Sequence, residues 1–277
     1  QGLDDIVLAA LNMQAKPADF AKWDAALEAY YHPTHEVTIG MVGKYMELTD
    51  SYKSLSEALI HAGIHTSTRI HIRYIDSELL ETEGLASLKN LDAILVPGGF
   101  GDRGVNGKMA AIRYAREHKV PFFGICLGMQ LACIEFARHM LSLHDANSEE
   151  FDTQSKNKII HLMKSQQQVE KKGGSMRLGA YVCVVKPDSK AFGVYKSKLV
   201  SERHRHRYEF NLDYKESFES AGFVVSGDSP DGTLVEMMEL VDHPWFVGCQ
   251  AHPELKSRPI APHPLFNGFI AAALKLC

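Results

Sequence analysis

The 277-residue sequence has no long apolar run, no strong net charge and no low-complexity tract. No stretch approaches the roughly 18–20 apolar residues that a membrane helix needs, so no membrane partner is expected. Thirty Lys and Arg against 34 Asp and Glu leave a formal net charge of −4 at pH 7. So weak a field attracts neither nucleic acid nor an anionic lipid surface. Five cysteines are few, odd in number and widely spaced, with no CxxC pair. That pattern fits a reducing compartment better than a disulfide framework, and a cytoplasmic location is expected. There is no internal repeat and no recognisable secretory leader. The start at Gln1-Gly2, without an initiator Met, suggests a piece of a longer chain. What remains is an ordinary globular mixture, 45% hydrophobic and 23% charged, large enough to close a core without staples. At about 150 residues per domain, it fits one large domain or two small ones.

Two regions differ in pattern. In residues 3–36, Phe20, Trp23, Leu27, Tyr30 and Tyr31 recur at helical spacing before His32-Pro33-Thr34-His35 breaks the run. We take residues 1–36 as the end of a preceding domain plus a linker, and residues 37–277 as the main domain. From Val37 onward, short apolar runs alternate with helical segments. Val37–Val42, Arg69–Tyr74, Asp92–Val96 and Phe122–Ile125 read as strands. Asp50–Ala62, with Gly63 as its stop, reads as a helix, as does Leu127–Met140. Buried strands alternating with helices predict an α/β fold, a central mostly parallel sheet flanked by helices. The second half is richer in strands: Tyr181–Val185, Arg205–Phe210, Phe223–Ser226, Leu234–Val241 and Trp245–Cys249. Between the halves, Gln154–Gly174 is polar and rich in Lys and Gln, either a plain surface loop or a lid.

Gly124-Ile125-Cys126-Leu127-Gly128 joins a predicted buried strand to a predicted helix. A G-x-[S/C]-x-G elbow in that setting holds a nucleophile in a strained turn, and the helix N-terminus supplies N–H groups and partial positive charge. An isolated GxCxG could equally be a small buried Cys in a turn; the flanking elements favour the nucleophile. Cys133, two turns along the helix, and Cys183 and Cys249, within apolar strands, look inert. A cysteine nucleophile usually needs a histidine base. His252 and Glu254 in Gln250-Ala251-His252-Pro253-Glu254 point the same way in extended backbone, so the carboxylate can orient the imidazole. Taken alone, such a pair is also a common solvated turn. An α/β-hydrolase runs nucleophile, acid, histidine. Here the histidine precedes the acid, which argues against that fold.

Pro97-Gly98-Gly99-Phe100-Gly101 ends a strand, where glycines let backbone N–H groups approach a ligand. Gly99 and Leu127 could together bind an oxyanion; a tight turn is the plainer alternative. Arg203-His204-Arg205-His206-Arg207-Tyr208-Glu209 is too short and too isolated for a nucleic-acid patch. On a strand its arginines share one face and its histidines the other, and an inward Arg suits carboxylate capture. His204 and His206 lack a third partner at zinc-ligand spacing, so no metal is expected.

These segments together resemble the class I (triad) glutamine amidotransferases and, within them, the glutaminase domains of CTP synthases. The resemblance covers Val37 to the C-terminus. It is carried by Gly40-Met41-Val42-Gly43-Lys44-Tyr45, Tyr52-Lys53-Ser54, Pro97–Gly101, Gly124–Gln130, Met176-Arg177-Leu178-Gly179, Arg203–Glu209 and His252-Pro253-Glu254. It implies Cys126 as nucleophile, His252 as base and then acid, and Glu254 as its orienter. It implies oxyanion donors at Gly99 and Leu127, and substrate contacts at Gly99, Leu127, Gln130, Glu150 and Arg207. L-glutamine would be the substrate, with no cofactor in this domain. The ammonia would pass to a synthetase domain of the same polypeptide, which uses ATP, UTP and Mg²⁺ to make CTP. The family further implies GTP as activator, with Lys53 at an effector position and Lys171, Lys172 and Arg177 as weaker candidates, and a homotetramer for the full-length enzyme.

Overall fold

A strand covered on both faces must be apolar throughout, and Ala93-Ile94-Leu95-Val96 and Phe122-Phe123-Gly124-Ile125 meet that condition. In the computed structural model, which describes residues 2–44, 49–163 and 176–275, both are fully buried central strands. The chain begins with helices α1 (Leu3–Ala10) and α2 (Ala21–Tyr31). It continues through β1 (His35–Gly43), α3 (Lys53–His65), β2 (Thr68–Asp76), α4 (Ser77–Glu83), β3 (Ala93–Val96), α5 (Val105–Glu117), β4 (Phe122–Ile125) and α6 (Leu127–Met140). There follow β5 (Asn147–Ser148), β6 (Lys158–Leu162), β7 (Arg177–Val185), α7 (Lys190–Tyr195), β8 (Leu199–His206), β9 (Tyr208–Phe210) and α8 (Lys215–Ser220). The last elements are β10 (Phe223–Asp228), β11 (Val235–Leu240), β12 (Phe246–Cys249) and α9 (Pro264–Leu274).

Among the described residues the main sheet has the order β2-β1-β3-β4-β12-β11-β10-β7-β8. Its pairs are parallel from β2 to β12 and antiparallel beyond. Side-chain alternation splits the core in two. Ile94, Val96, Phe122 and Phe246 face α5, α6 and α8, whereas Leu95, Phe123 and Val247 face α3 and α9. Both β3 and β12 flank β4, so the C-terminal ends of three parallel strands meet where β4 gives way to α6. Crevices at such strand ends are where open α/β sheets bind ligands.

The structure departs from the sequence reading in three places. Helix α3 runs through Gly63 to His65. That glycine is no stop; it is there because a Cβ would lie 2.5 Å from the Thr68 carbonyl oxygen. The strand expected over Arg205–Phe210 is two: β8 belongs to the main sheet, while β9 joins β5 and β6 in a second, three-stranded sheet. Part of the expected loop after Gln154 is β6; residues 164–174, including Lys171 and Lys172, lie outside the described residues, as does Tyr45. The helix expected from the aromatic spacing of residues 20–31 is α2; its aromatic positions face solvent, only Ala26 of that helix being buried. No helix among the described residues is long and apolar enough to cross a membrane.

Candidate active site

The turn from β4 into α6 is as tight as its glycines allow. A Cβ on Gly124 would lie 2.7 Å from the Gly128 carbonyl carbon, and one on Gly128 only 2.1 Å from the Val96 carbonyl oxygen. Between them Cys126 adopts φ 52° and ψ −103°, a conformation that side-chain-bearing residues rarely adopt. Its N–H donates to the Cys249 carbonyl at 2.7 Å, and its carbonyl accepts from the Gln130 N–H at 3.1 Å. Those bonds hold the turn despite the strain. The thiol is nearly buried, 4.0 Å from the Arg205 carbonyl oxygen and 3.5 Å from Gln250 Nε2. Burial pushes the thiols of Cys133, Cys183 and Cys249 up, which keeps them protonated and inert.

His252 arrives from the neighbouring strand end. Its backbone N–H donates to the Arg203 carbonyl at 2.7 Å, and its Nδ1 lies 2.8 Å from Glu254 Oε1. Gly98 makes room for the ring, since a Cβ there would stand 2.9 Å from His252 Cε1 and 3.4 Å from Cys126 Cβ. Burial disfavours the charged imidazole, but hydrogen bonding and charge attraction from Cys126 and Glu254 outweigh it and raise its pKa to about 10. The folded value exceeds the ordinary 6.5. This ionisation therefore stabilises the fold fully below about pH 6.5, and the contribution is lost as pH rises through about 10. In an NMR titration the His252 ring protons should shift near pH 10, and Cys126→Ala should bring that midpoint down. A wild-type midpoint near 6.5 would contradict this account.

Cys126, His252 and Glu254 line one cleft of about 340 Å³, together with Gly98, Gly99 and Arg205. The thiol, the imidazole and its carboxylate thus converge from two strand ends. The Gly99 Cα faces Leu127, a Cβ there meeting Leu127 Cδ2 at 3.4 Å. Leu127 opens α6, so its N–H is among the helix's unsatisfied donors. Glu150 reaches the same glycine loop, Oε1 accepting from the Gly101 N–H at 3.0 Å. Arg207 occupies the one-residue break between β8 and β9. It therefore leaves the solvent face shared by Arg203 and Arg205 and is partly buried. Burial, then the charges of Glu150 and Glu149, raise the Tyr208 pKa, and Arg207 opposes them. Glu150, Arg207 and Tyr208 therefore form one neighbourhood. Gln130 joins it through Nε2, 3.0 Å from the Tyr208 carbonyl. Lys53 is mostly exposed, 3.5 Å from Glu57, and does not line the cleft.

Arg177 and the two inward histidines make a separate buried cluster. Arg177 grips Glu236 with both guanidinium nitrogens, at 3.0 and 2.6 Å, and lies over the Tyr181 ring. Its geometry is that of a structural ion pair. His206 Nδ1 lies 3.0 Å from the Tyr208 carbonyl, so that nitrogen carries the proton; His204 Nδ1 stands 3.2 Å from His206 Nε2 and 3.4 Å from Arg177 Nη1. Burial, reinforced by Arg177, lowers the two pKa values to about 2 and about 3, keeping both rings neutral. No group of three or more His, Cys, Asp or Glu among the described residues is arranged to hold a metal ion. A larger cleft of about 870 Å³ lies beside Arg177 and Glu209, and its lining includes neither Cys126 nor His252. Sequence reasoning missed Gln250, Gly98 and the Arg205 carbonyl. A buried polar residue closing an apolar strand was the available signal for Gln250.

The family model described as "Glutamine amidotransferase class-I" matches residues 47–272. A CTP synthase of Carboxydothermus hydrogenoformans is 56% identical over 276 residues, covering 99% of this chain and 52% of the relative. One from Geobacter metallireducens is also 56% identical, over 277 residues, with the same shares covered. The chain thus spans about half the length of the curated relatives it matches. Among solved structures, the glutaminase domain of Trypanosoma brucei CTPS with bound acivicin superposes with a TM-score of 0.81 at 40% identity, covering 86% of this chain and 94% of that one. A Thermotoga maritima glutamine amidotransferase, at 14% identity and TM-score 0.50, shares the fold.

Proposed function

The chain belongs to the class I glutamine amidotransferases, and from that premise we propose that it hydrolyses L-glutamine through Cys126 as the glutaminase portion of a CTP synthase. The observation that carries the reading is the convergence of Cys126 with the Glu254-held His252 in one cleft. His252 Nδ1 donates to Glu254, leaving Nε2 to exchange protons with the reacting groups. Nε2 already holds the proton given up by the thiol, and the thiolate attacks the γ-carboxamide carbon. The oxyanion formed is held by the Gly99 and Leu127 N–H groups; one such donor is typically worth ~10²–10³ in rate. Nε2 then protonates the departing nitrogen, which leaves as ammonia, and a γ-glutamyl thioester remains. Water attacks the thioester, Nε2 accepts its proton, and the sulfur leaves to give glutamate. Glu150 meets the substrate ammonium, Arg207 its carboxylate, and Gln130 completes the pocket.

The rest of the relatives' length supplies the remaining proposals. Residues 1–36 are the tail of a synthetase domain and the linker from it. That portion would bind ATP, UTP and Mg²⁺ and accept the ammonia for amination of UTP to CTP. GTP would be the activator, with Lys53 at the effector position, and the full-length enzyme a homotetramer. The location is cytoplasmic.

The reading is tested by treating the protein with 6-diazo-5-oxo-L-norleucine and mapping peptides by mass spectrometry. A single adduct on Cys126, prevented by excess glutamine, is expected. No adduct, or one on another cysteine, would overturn it. A second measurement grades the triad. Glu254→Ala should lose about 100-fold less turnover than removal of the thiol, as orienting residues do relative to nucleophiles. Equal losses would mean that Glu254 does more than orient His252.

A further inference from the structure

Gln250 directly follows β12, and its side chain is wholly buried beside Cys126. Its backbone N–H donates to the Glu236 carbonyl at 2.8 Å, which fixes where the side chain starts. The amide then touches two residues, Gln130 and Cys126. Which end faces which is settled by the Tyr208 carbonyl. A peptide carbonyl only accepts, so the Gln130 atom 3.0 Å from it is the NH₂ group. The second N–H of that group is directed to Gln250, 3.0 Å away, so the Gln250 atom facing it is the oxygen. The Gln250 NH₂ is therefore the end aimed at Cys126 Sγ, at 3.5 Å.

We propose that Gln250 is a further catalytic residue, one whose Nε2–H donates to Cys126 Sγ and stabilises its thiolate. The inference rests on Cys126 being the nucleophile. Several groups face that sulfur. His252, backed by Glu254, attracts a thiolate, as does the N-terminus of α6. The Arg205 carbonyl oxygen at 4.0 Å repels it, and Cys249 behind is a neutral thiol pushed up by burial. The Arg205 guanidinium is turned toward the Phe100 ring, 5.6 Å from its centroid. Among the described residues, Gln250 is the side chain that offers a neutral N–H donor to the sulfur from the interior side, where its direction is fixed before substrate arrives. Donors to an anion are stronger than neutral pairs, so the bond favours the thiolate over the thiol. It acts again when the thioester collapses and charge returns to sulfur.

The test is the pH profile of Cys126 alkylation by iodoacetamide, read by peptide mapping, in wild type and Gln250→Met. Methionine keeps the length and apolar packing and removes the donor. The Cys126 midpoint should rise by about one pH unit. Alkylation at pH values below the wild-type midpoint should slow about tenfold, and kcat for glutamine measured there should fall similarly with KM little changed. An unchanged midpoint in a folded variant would overturn the proposal. A wild-type measurement stands beside it: one Gln side-chain amide NMR signal should follow the Cys126 titration, and the absence of any such signal would equally overturn it. Neither readout needs turnover. A protein whose Cys126 titrates but which never releases ammonia would refute the glutaminase reading, while the Gln250 effect could still be measured.

Discussion

Replacing Cys126 with Ala should reduce ammonia release from glutamine by about 10⁶-fold while the protein stays folded. The magnitude follows from covalent catalysis: losing the nucleophile alone costs about as much as losing the whole triad, because the remaining groups have nothing to act upon. The fold survives because the turn is held by backbone bonds, Cys126 N–H to the Cys249 carbonyl and Gln130 N–H to the Cys126 carbonyl, neither of which involves sulfur. Alanine keeps the same strained backbone and removes one buried atom. Calorimetry on the variant should still detect glutamine, since the proposed clamp of Gln130, Glu150 and Arg207 is untouched. A coupled assay for ammonia decides the matter, and turnover within tenfold of wild type would remove Cys126 from the mechanism.

The parts of the site legible in the sequence are the local ones. The elbow is one strand, one turn and one helix within a few residues, and His252 and Glu254 are two residues apart on the same loop. Local chemistry specifies both. Arg207 was legible as a residue but not as a position. A strand pattern cannot show that β8 ends at His206 and that β9 pairs in a different sheet, because that switch depends on β6, some fifty residues earlier in the chain. Gln250 was hidden for the same reason. Its partners, Cys126 and Gln130, lie 124 and 120 residues away, and only closure of the sheet brings them together. Gly63 misled because glycine serves both as a helix stop and as a space for close packing. Sequence alone does not show that the Thr68 carbonyl sits against it.

Gly128→Ala should be among the most damaging single methyl groups the molecule can receive, although helix propensity alone predicts the reverse. Alanine in a helix interior is favoured over glycine by about 1 kcal/mol. Against that, the new Cβ would stand 2.1 Å from the Val96 carbonyl oxygen and 3.0 Å from its carbon, both backbone atoms. Val96 ends β3 and is registered against Gly124 of β4, so the strand cannot yield without breaking the centre of the sheet. Helix α6 must lift instead, and its first residue carries one proposed oxyanion donor. Overpacking against backbone that cannot yield costs about 3 kcal/mol, which overrides the propensity gain. The net loss of about 2 kcal/mol should lower thermal unfolding by about 4–8 °C. The folded fraction should also lose activity, because Cys126 and the Leu127 N–H move with the helix. Gly99→Ala is the control. Its Cβ meets only the tip of Leu127, at 3.4 Å, and the backbone N–H is retained, so stability should stay near wild type. A Gly128→Ala protein that melts at or above the wild-type temperature would mean that helix propensity wins and that the elbow is looser than its contacts imply.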